Sequence, residues 1–248
     1  MTSDMTKPTT EGMTRTDTPR FWDGATRGRT QIGWLDGRHS FSFGRHMDPD
    51  RMGFRSLRVI NDDVIKAGRG FGMHPHEEME ILTWVLDGKI KHEDSTGMSG
   101  EITPGDLQLM SAGTGIRHSE FNGLEDAPTR LLQIWIEPSK SGVEPGYQQR
   151  SFDAAGRADR WQLLASPDAG DGSLKIHADA NVFVSDLGGE ARIEARIEVD
   201  RFGYLHVARG SVRVGDQTLV EGDAISFEGD GVEVVGIEDS ELLFFDLA

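Results

Sequence analysis

The stretch GRGFGMHPHEEMEILTWVLDG (residues 68–88) decides how this chain is read, together with its echo MSAGTGIRHSEFNG (residues 110–123). Each carries two metal-capable side chains two positions apart: His74 and His76 in the first, His118 and Glu120 in the second. Successive side chains of an extended strand point to opposite faces, so residues i and i+2 share one face. Two such strands side by side would bring three imidazoles and one carboxylate to a single cavity, a donor set for a metal ion.

The chain has 248 residues, room for one large β domain or two domains of roughly 100–150 residues. A chain of this size buries most of its apolar surface without covalent staples. It contains no cysteine, so it has no disulfide framework and no thiolate zinc site. Any metal must take nitrogen and oxygen ligands, which the 8 histidines and 42 acidic residues supply. A formal charge of −16 argues against nucleic acid as a partner, because that affinity rests on phosphate neutralisation by Lys and Arg. It argues equally against an anionic membrane surface. No apolar run approaches the roughly 18–20 residues of a spanning helix, and the opening MTSDMTKPTTEGMTRTDTPR lacks the apolar segment of a secretory signal. The expectation is a soluble, cytoplasmic protein with no nucleic-acid or membrane partner. No pattern signals oligomerisation, so a monomer is the default.

Residues 1–19, rich in Thr, Asp and Pro without periodicity, read as a disordered leader. RHSFSFGRH (residues 38–46) alternates as a strand, with Phe41 and Phe43 on one face. LRVINDDVIKAG (residues 57–68) starts as a strand, and its Asn61-Asp62-Asp63 cluster reads as a local bend. EILTWVL (residues 80–86) is a buried strand stopped by the turn pair Asp87-Gly88, with KIKHEDS returning. ITPGDLQLM and RLLQIWIEP follow as strands. Residues 139–171 shift towards Ser, Gly, Pro, Ala and Asp, a mostly irregular connector with a short helix near residues 159–164. Strands then resume with ARIEARIEV (residues 191–199), whose charged face reads as solvated. Many short strands with turn signals between them mean an all-β sandwich or barrel.

The chain also repeats itself. LDGKI (residues 86–90) is matched by ARGSV (residues 208–212), and PGDLQLM (residues 104–110) by EGDAISF (residues 221–227). Aligning the first glycines sets His74 and His76 opposite Arg196 and Glu198, which cannot rebuild the donor set. The second half thus reads as a copy without metal ligands. The division expected is a leader (1–19), an N-terminal metal-binding domain (20–140), and a connector with a C-terminal metal-free domain (141–248).

An isolated H-x-H is weak evidence, but here Gly68, Glu80 and Gly88 flank it, and Gly105, Gly113 and Asn122 surround His118. This pattern resembles the paired signatures of the cupin superfamily. Two departures stand out: Ser111 replaces the second signature's proline, and His118 lies two residues further from Gly113 than the general pattern has it. With H-P-H, H-E-D (residues 92–94), M-S-A-G-x-G-I, H-x-E, RHSFSFG, SLRVINDD, YQQ, YLHVARG and LLFFDLA, they are similar to one cupin branch, the pirin family, over about residues 20–248.

That resemblance implies two cupin jelly-roll β-sandwiches in one chain and one metal, commonly iron, in the first. Its ligands would be His74, His76, His118 and Glu120; Glu80, the carboxylate of the general cupin pattern, is the alternative to Glu120. Three imidazoles and a carboxylate leave open positions on an octahedral ion and suit Fe(II), while Zn, Cu, Mn or Ni also fit these donors. His92 reads as a partner of Asp94 or a pocket residue; His39, His46, His177 and His206 read as structural, and Trp135 with Gln133 as a possible cavity wall. The activity implied is that of a quercetinase-type dioxygenase acting with O₂ on a flavonol-like aromatic substrate, Glu120 serving as general base. A second implied role, of a different class, is a non-catalytic iron-binding protein that senses redox state and regulates a protein partner.

Overall fold

The structure, a computed structural model, describes residues 19–248. Apart from Pro19, the expected leader lies outside the described residues. The first half holds β1 (Arg20–Trp22), β2 (Gly28–Ile32), β3 (Leu35–His39), β4 (Leu57–Ile65), β5 (Gly70–His76), β6 (Glu80–Asp87), β7 (Ile90–Asp94), β8 (Ser99–Ile102), β9 (Asp106–Ser111), β10 (Ile116–Asn122), β11 (Thr129–Ile136) and β12 (Gly146–Ser151). After a one-turn helix α1 (Ala154–Arg157) come β13 (Gln162–Ser166), β14 (Leu174–Lys175), β15 (Ala180–Leu187), β16 (Arg192–Ala195), β17 (Phe202–Arg209), β18 (Ser211–Val214), β19 (Gln217–Val220), β20 (Ala224–Phe227), β21 (Val232–Gly236) and β22 (Ser240–Leu247). The protein is all-β. No helix among the described residues is long and apolar enough to cross a membrane.

Each half is a sandwich of a seven-stranded and a four-stranded sheet. The large sheets run β12-β9-β6-β11-β4-β3-β2 and β1-β20-β17-β22-β15-β13-β14, the small ones β5-β10-β7-β8 and β16-β21-β18-β19. The repeat seen in the hairpins therefore extends to the whole topology: β9-β6-β11-β4 and β20-β17-β22-β15 occupy equivalent places. One edge strand crosses between the halves. β1 pairs with β20 in the second large sheet, and β12 pairs with β9 in the first.

The two large sheets share one core. Leu82, Trp84, Leu109, Leu132 and Ile134 of the first cluster with Val182, Val184, Tyr204, Leu243 and Phe245 of the second. Strands such as β6 and β11 are thus buried on both faces, which is why their sequences are nearly unbroken apolar runs. Even-numbered positions of β6 and β11 face the other half, and odd-numbered ones face their own sandwich. In the second sandwich that interior is filled by Leu205, Val207, Val212, Val214, Phe227 and Phe244. Arg196 and Glu198, opposite His74 and His76 in the repeat, are exposed to solvent.

Three local expectations change. No helix forms at 159–164: Asp159 takes a left-handed φ of 52°, and Gln162–Ser166 is a strand paired with β15. The helix comes earlier, capped by Asp153, whose side chain accepts from the Ala155 N–H. The Asn61-Asp62-Asp63 cluster does not bend; all three are buried within the nine-residue β4, which is bonded on both sides. Ladder bonds from β11 and β3 outweigh local turn preference, and Arg130 compensates Asp62 with bonds of 2.9 and 2.8 Å. Finally, β3 ends at His39, so Phe41 and Phe43 part company. Phe41 packs 5.7 Å from Trp22 in the shared core, whereas Phe43 reaches Trp135 of the first sandwich at 5.5 Å.

The ring of His206, on β17 with Tyr204, tests the burial of this region. His206 is 1% exposed, and neither ring nitrogen has a hydrogen-bonding partner among the described residues. Burial, reinforced by Arg27, pushes its pKa down to about 3. Unfolded, the ring titrates near about 6.5. Between those values the unfolded chain binds a proton that the folded chain refuses. This contribution is therefore complete above about pH 6.5 and declines as pH falls towards 3, by at most about 1.4 kcal/mol per pH unit. His206→Leu is expected to flatten the acid-side fall of the melting temperature between about pH 6.5 and pH 4. An unchanged slope in a thermal melting series would contradict it.

Candidate metal centre

The ligand candidates sit on the small sheet of the first sandwich. β5 and β10 are antiparallel, with His118 opposite His74 and Ile116 opposite His76. The alternation of side chains then puts all three imidazoles on the inner face. Their ring centroids lie 4.5 Å (His74–His118), 4.8 Å (His74–His76) and 4.9 Å (His76–His118) apart. One nitrogen from each falls within 4.8 Å of the others. The next pairing down is Glu120 with Phe71, so β5 carries an extra residue there, a β-bulge. Beside it, His74 Nδ1 donates to the Gly72 carbonyl at 2.8 Å, leaving Nε2 as the free lone pair.

The remaining two rings are held ready in the same sense. Nε2 of His76 and Nε2 of His118 are buried without a partner among the described residues. Orphaned buried nitrogens are costly, and one ion held with His74 would satisfy both at once; the residues fit a metal. Burial, followed by repulsion from His118 and His74, pushes His76 down to about 4. Burial, followed by His74 and His92, pushes His118 down to about 3. Both rings are neutral near pH 7, the form that coordinates.

His118 is oriented from behind. Its Nδ1 lies 3.4 Å from Nδ1 of the buried His92, whose Nε2 lies 3.2 Å from Asp94 Oδ2. One proton arrangement satisfies the chain: His92 Nε2–H donates to Asp94, and His118 Nδ1–H donates to His92 Nδ1. His118 Nε2 is then left for a metal, the usual role of a carboxylate–histidine relay. Asp94 is fixed through its other oxygen by the Thr96 N–H at 2.9 Å and hydroxyl at 2.6 Å.

Glu120 is 3% exposed and belongs to a second cluster with His92 and His118, its carboxylate within 4.8 Å of their nitrogens. It bridges to the large sheet. Thr83 Oγ1 donates to Oε1 at 3.0 Å, and Gln133 Nε2 donates to Oε2 at 2.7 Å. Thr83 and Gln133 belong to a polar row that crosses five strands in register: His39, Asn61, Gln133, Thr83 and Gln108. Gln108 reaches His92 Nδ1 at 3.4 Å, and His39 Nδ1 donates to Asn61 Oδ1 at 2.7 Å. Glu80 lies elsewhere. On the even face of β6, it accepts from Ser111 Oγ at 2.9 Å and from the His177 N–H at 3.2 Å.

The cluster opens into a cavity of about 390 Å³ between the sheets, lined by Trp34, Phe43, Phe71, Ile81 and Trp135 besides the polar groups. That is the lower range of small-ligand pockets, with an apolar aromatic wall and few polar groups. His76 meets the Trp135 ring edge-on at 4.9 Å and 83°. The structure brings together His74, His76 and His118, sets Glu120 beside His118, and adds Trp135 and Gln133 to the wall. Thr83, Asn61, Asp63, Gln108 and Phe43 were not anticipated. A signal existed for Thr83 and Gln133: each is the lone polar residue inside a buried apolar run, EILTWVL and RLLQIWI.

A double cupin with a histidine–carboxylate metal centre in its N-terminal sandwich is the class these features define. Family models place it further: "Pirin" matches residues 24–136, and "Quercetinase C-terminal cupin domain" matches residues 163–247. The chain is 45% identical over 222 residues to a quercetin 2,3-dioxygenase of Escherichia coli K12, covering 89% of this chain and 95% of that one. It is 40% identical over 223 residues to a pirin-like protein of Caulobacter vibrioides, covering 89% and 96%. A bacterial pirin from Escherichia coli solved in complex with nickel(II) superposes with a TM-score of 0.88 at 42% identity, over 93% of this chain and 99% of that one. The chain belongs to the pirin family.

Because His92 sets the His118 tautomer, His92→Phe is expected to weaken Ni(II) affinity about 10–100-fold, the usual effect of removing such a partner. Calorimetric titration of the apoprotein measures it. Unchanged affinity in a variant with wild-type melting would remove His92 from the centre.

Proposed function

We propose that the protein is a metal-dependent dioxygenase of the quercetin 2,3-dioxygenase type, acting on flavonol-like aromatic substrates. In this reading His74, His76, His118 and Glu120 hold one divalent ion, Fe(II) in the first instance, with Ni, Zn, Cu or Mn compatible with the same donors. The observation that carries it is the opening of a three-imidazole cluster directly onto an aromatic-walled cavity. The names of the relatives support the substrate class, and the nickel complex supports a metal in the equivalent fold.

A bound divalent ion supplies Lewis acidity, which lowers the pKa of a substrate hydroxyl. The chain's own residues do the rest. Trp135, Phe43, Phe71 and Trp34 give flat rings an apolar slot and exclude water from it. Glu120 accepts the hydroxyl proton as general base. Its surroundings accommodate that change. Thr83 Oγ1 lies 3.0 Å from Glu120 and 3.3 Å from Gln133 Oε1, so its hydroxyl can turn to Gln133 when the carboxylate becomes protonated. No buried donor is stranded.

The test is anaerobic loading with Fe(II), then aerobic incubation with quercetin while following substrate loss and CO release. Wild type is expected to turn over. His74→Ala is expected to lose iron and activity together, and Glu120→Gln to lose about 10²–10⁴-fold in kcat. Full turnover by Glu120→Gln would refute the base. Tight iron binding by wild type without turnover would refute the enzyme and favour the redox-sensing partner protein.

A further inference from the structure

Asp63 is a buried carboxyl on the cavity wall that belongs to neither metal cluster. It is 4% exposed, and its Oδ1 has no hydrogen-bonding partner among the described residues. The polar row that supports Glu120 does not include it. Asp63 lies one row further along the large sheet, between Gly37 on β3 and Leu131 on β11, with Val85 beyond. Leu131 and Val85 belong to an apolar cluster. A carboxyl among such neighbours, with an oxygen left unpaired, is costly to bury.

The chain nevertheless makes room for it. A Cβ on Gly37 would lie 2.4 Å from Asp63 Oδ1. Gly37 does not need glycine for its backbone, since its φ is not positive. What its missing side chain provides is the seat for the carboxyl. The same cavity is lined by Asp63 on the large sheet and by His74, His76 and His118 on the small one, so a flat ligand between the sheets meets both.

Resting on the dioxygenase reading of this cavity, we propose that Asp63, seated over Gly37, recognises a hydroxyl of the aromatic substrate beyond the one that faces the metal. The ligand class is a polyhydroxylated aromatic. Burial, with Asp62 and Glu120 nearby, pushes the Asp63 pKa up to about 8, so near pH 7 the carboxyl carries its proton. In that form it offers one donor and one acceptor, the complement of a phenolic hydroxyl. A site built to bond a hydroxyl discriminates strongly against the analogue lacking it.

The experiment compares two probes on metal-loaded protein: quercetin, and the parent flavonol, which has no hydroxyl except the one beside the ring carbonyl. Dissociation constants come from quenching of tryptophan fluorescence, since Trp34 and Trp135 line the cavity. CO release is followed in parallel. Asp63→Leu is expected to bind quercetin about tenfold more weakly, one good hydrogen bond lost, and to bind the parent flavonol as wild type does. Its melting temperature should not fall, because an unpaired buried carboxyl has been removed. Gly37→Ala, which displaces the carboxyl without removing it, should show the same selective loss and covers the case in which Asp63→Leu fails to fold. Asp63→Asn keeps a donor and an acceptor and should retain the selectivity for quercetin.

Equal loss for both probes, or none for either, overturns the proposal. If wild type binds both probes but releases no CO, the dioxygenase reading fails, and the affinity ratio alone decides Asp63. If turnover is normal and the ratio is unchanged in Asp63→Leu, the reading stands and Asp63 is not a recognition residue. If wild type binds neither probe, both fall.

Discussion

Burial of both faces of the large sheet is the constraint on which the rest of the structure depends. A strand sends alternate side chains to opposite faces, so β6 and β11 divide their residues strictly between two environments. Leu82, Trp84, Leu132 and Ile134 join the core shared with the second half. Thr83 and Gln133 are thereby forced into the interior of the first sandwich, where Glu120 pairs with both. A register slip of one residue would send the polar row into the shared core and the leucines into the cavity. The same alternation on β5 and β10 gathers the histidines.

The two halves show what that frame permits. Topology and strand order repeat, yet the second interior is packed with Leu205, Val207, Phe227 and Phe244. Apolar side chains that fill a sandwich stabilise it and leave no cavity. The first half gives up some of that packing for His39, Asn61, Asp63, Gln108 and Glu120, all buried. The second half and the shared core are packed with apolar side chains, while the interior of the first sandwich carries the polar groups and the cavity. The edge strand β1 crosses from the first half to pair with β20 and ties the halves together.

Protonation gives the site its chemical character. His76 and His118 are kept neutral by burial and by repulsion from neighbouring histidines, His118 and His74 for the first and His74 and His92 for the second. His74 and His118 each donate through Nδ1, to the Gly72 carbonyl and to His92 Nδ1, so their Nε2 atoms remain available. Thr83 stands between two acceptors and can follow a proton on Glu120. Glu120, Thr83 and Gln133 act as one hydrogen-bonded group, so deleting Glu120 leaves the other two with a bond unmade.

Much of this was legible in the sequence. The all-β class, an internal repeat whose second copy lacks the histidine pair, and the four ligand candidates follow from local patterns (i, i+2 spacing, turn pairs and repeated hairpins), while the double sandwich is implied by the family resemblance. Such patterns are visible because a strand's two faces are written in its residue order. Local pattern failed where long-range pairing overrode it. Asn61-Asp62-Asp63 reads as a bend, but ladders on both sides keep it straight; Phe41 and Phe43 look alike, but the end of β3 sends them to different cores. Register with His118 favours Glu120 over Glu80, but spacing does not show what either carboxylate meets. Only the tertiary structure placed Glu80 against Ser111 and His177 and Glu120 beside His118. The polar row and the seat of Asp63 over Gly37 likewise join residues from up to five strands. Sequence order determines which face a side chain takes; only the pairing of distant strands decides which side chains it meets.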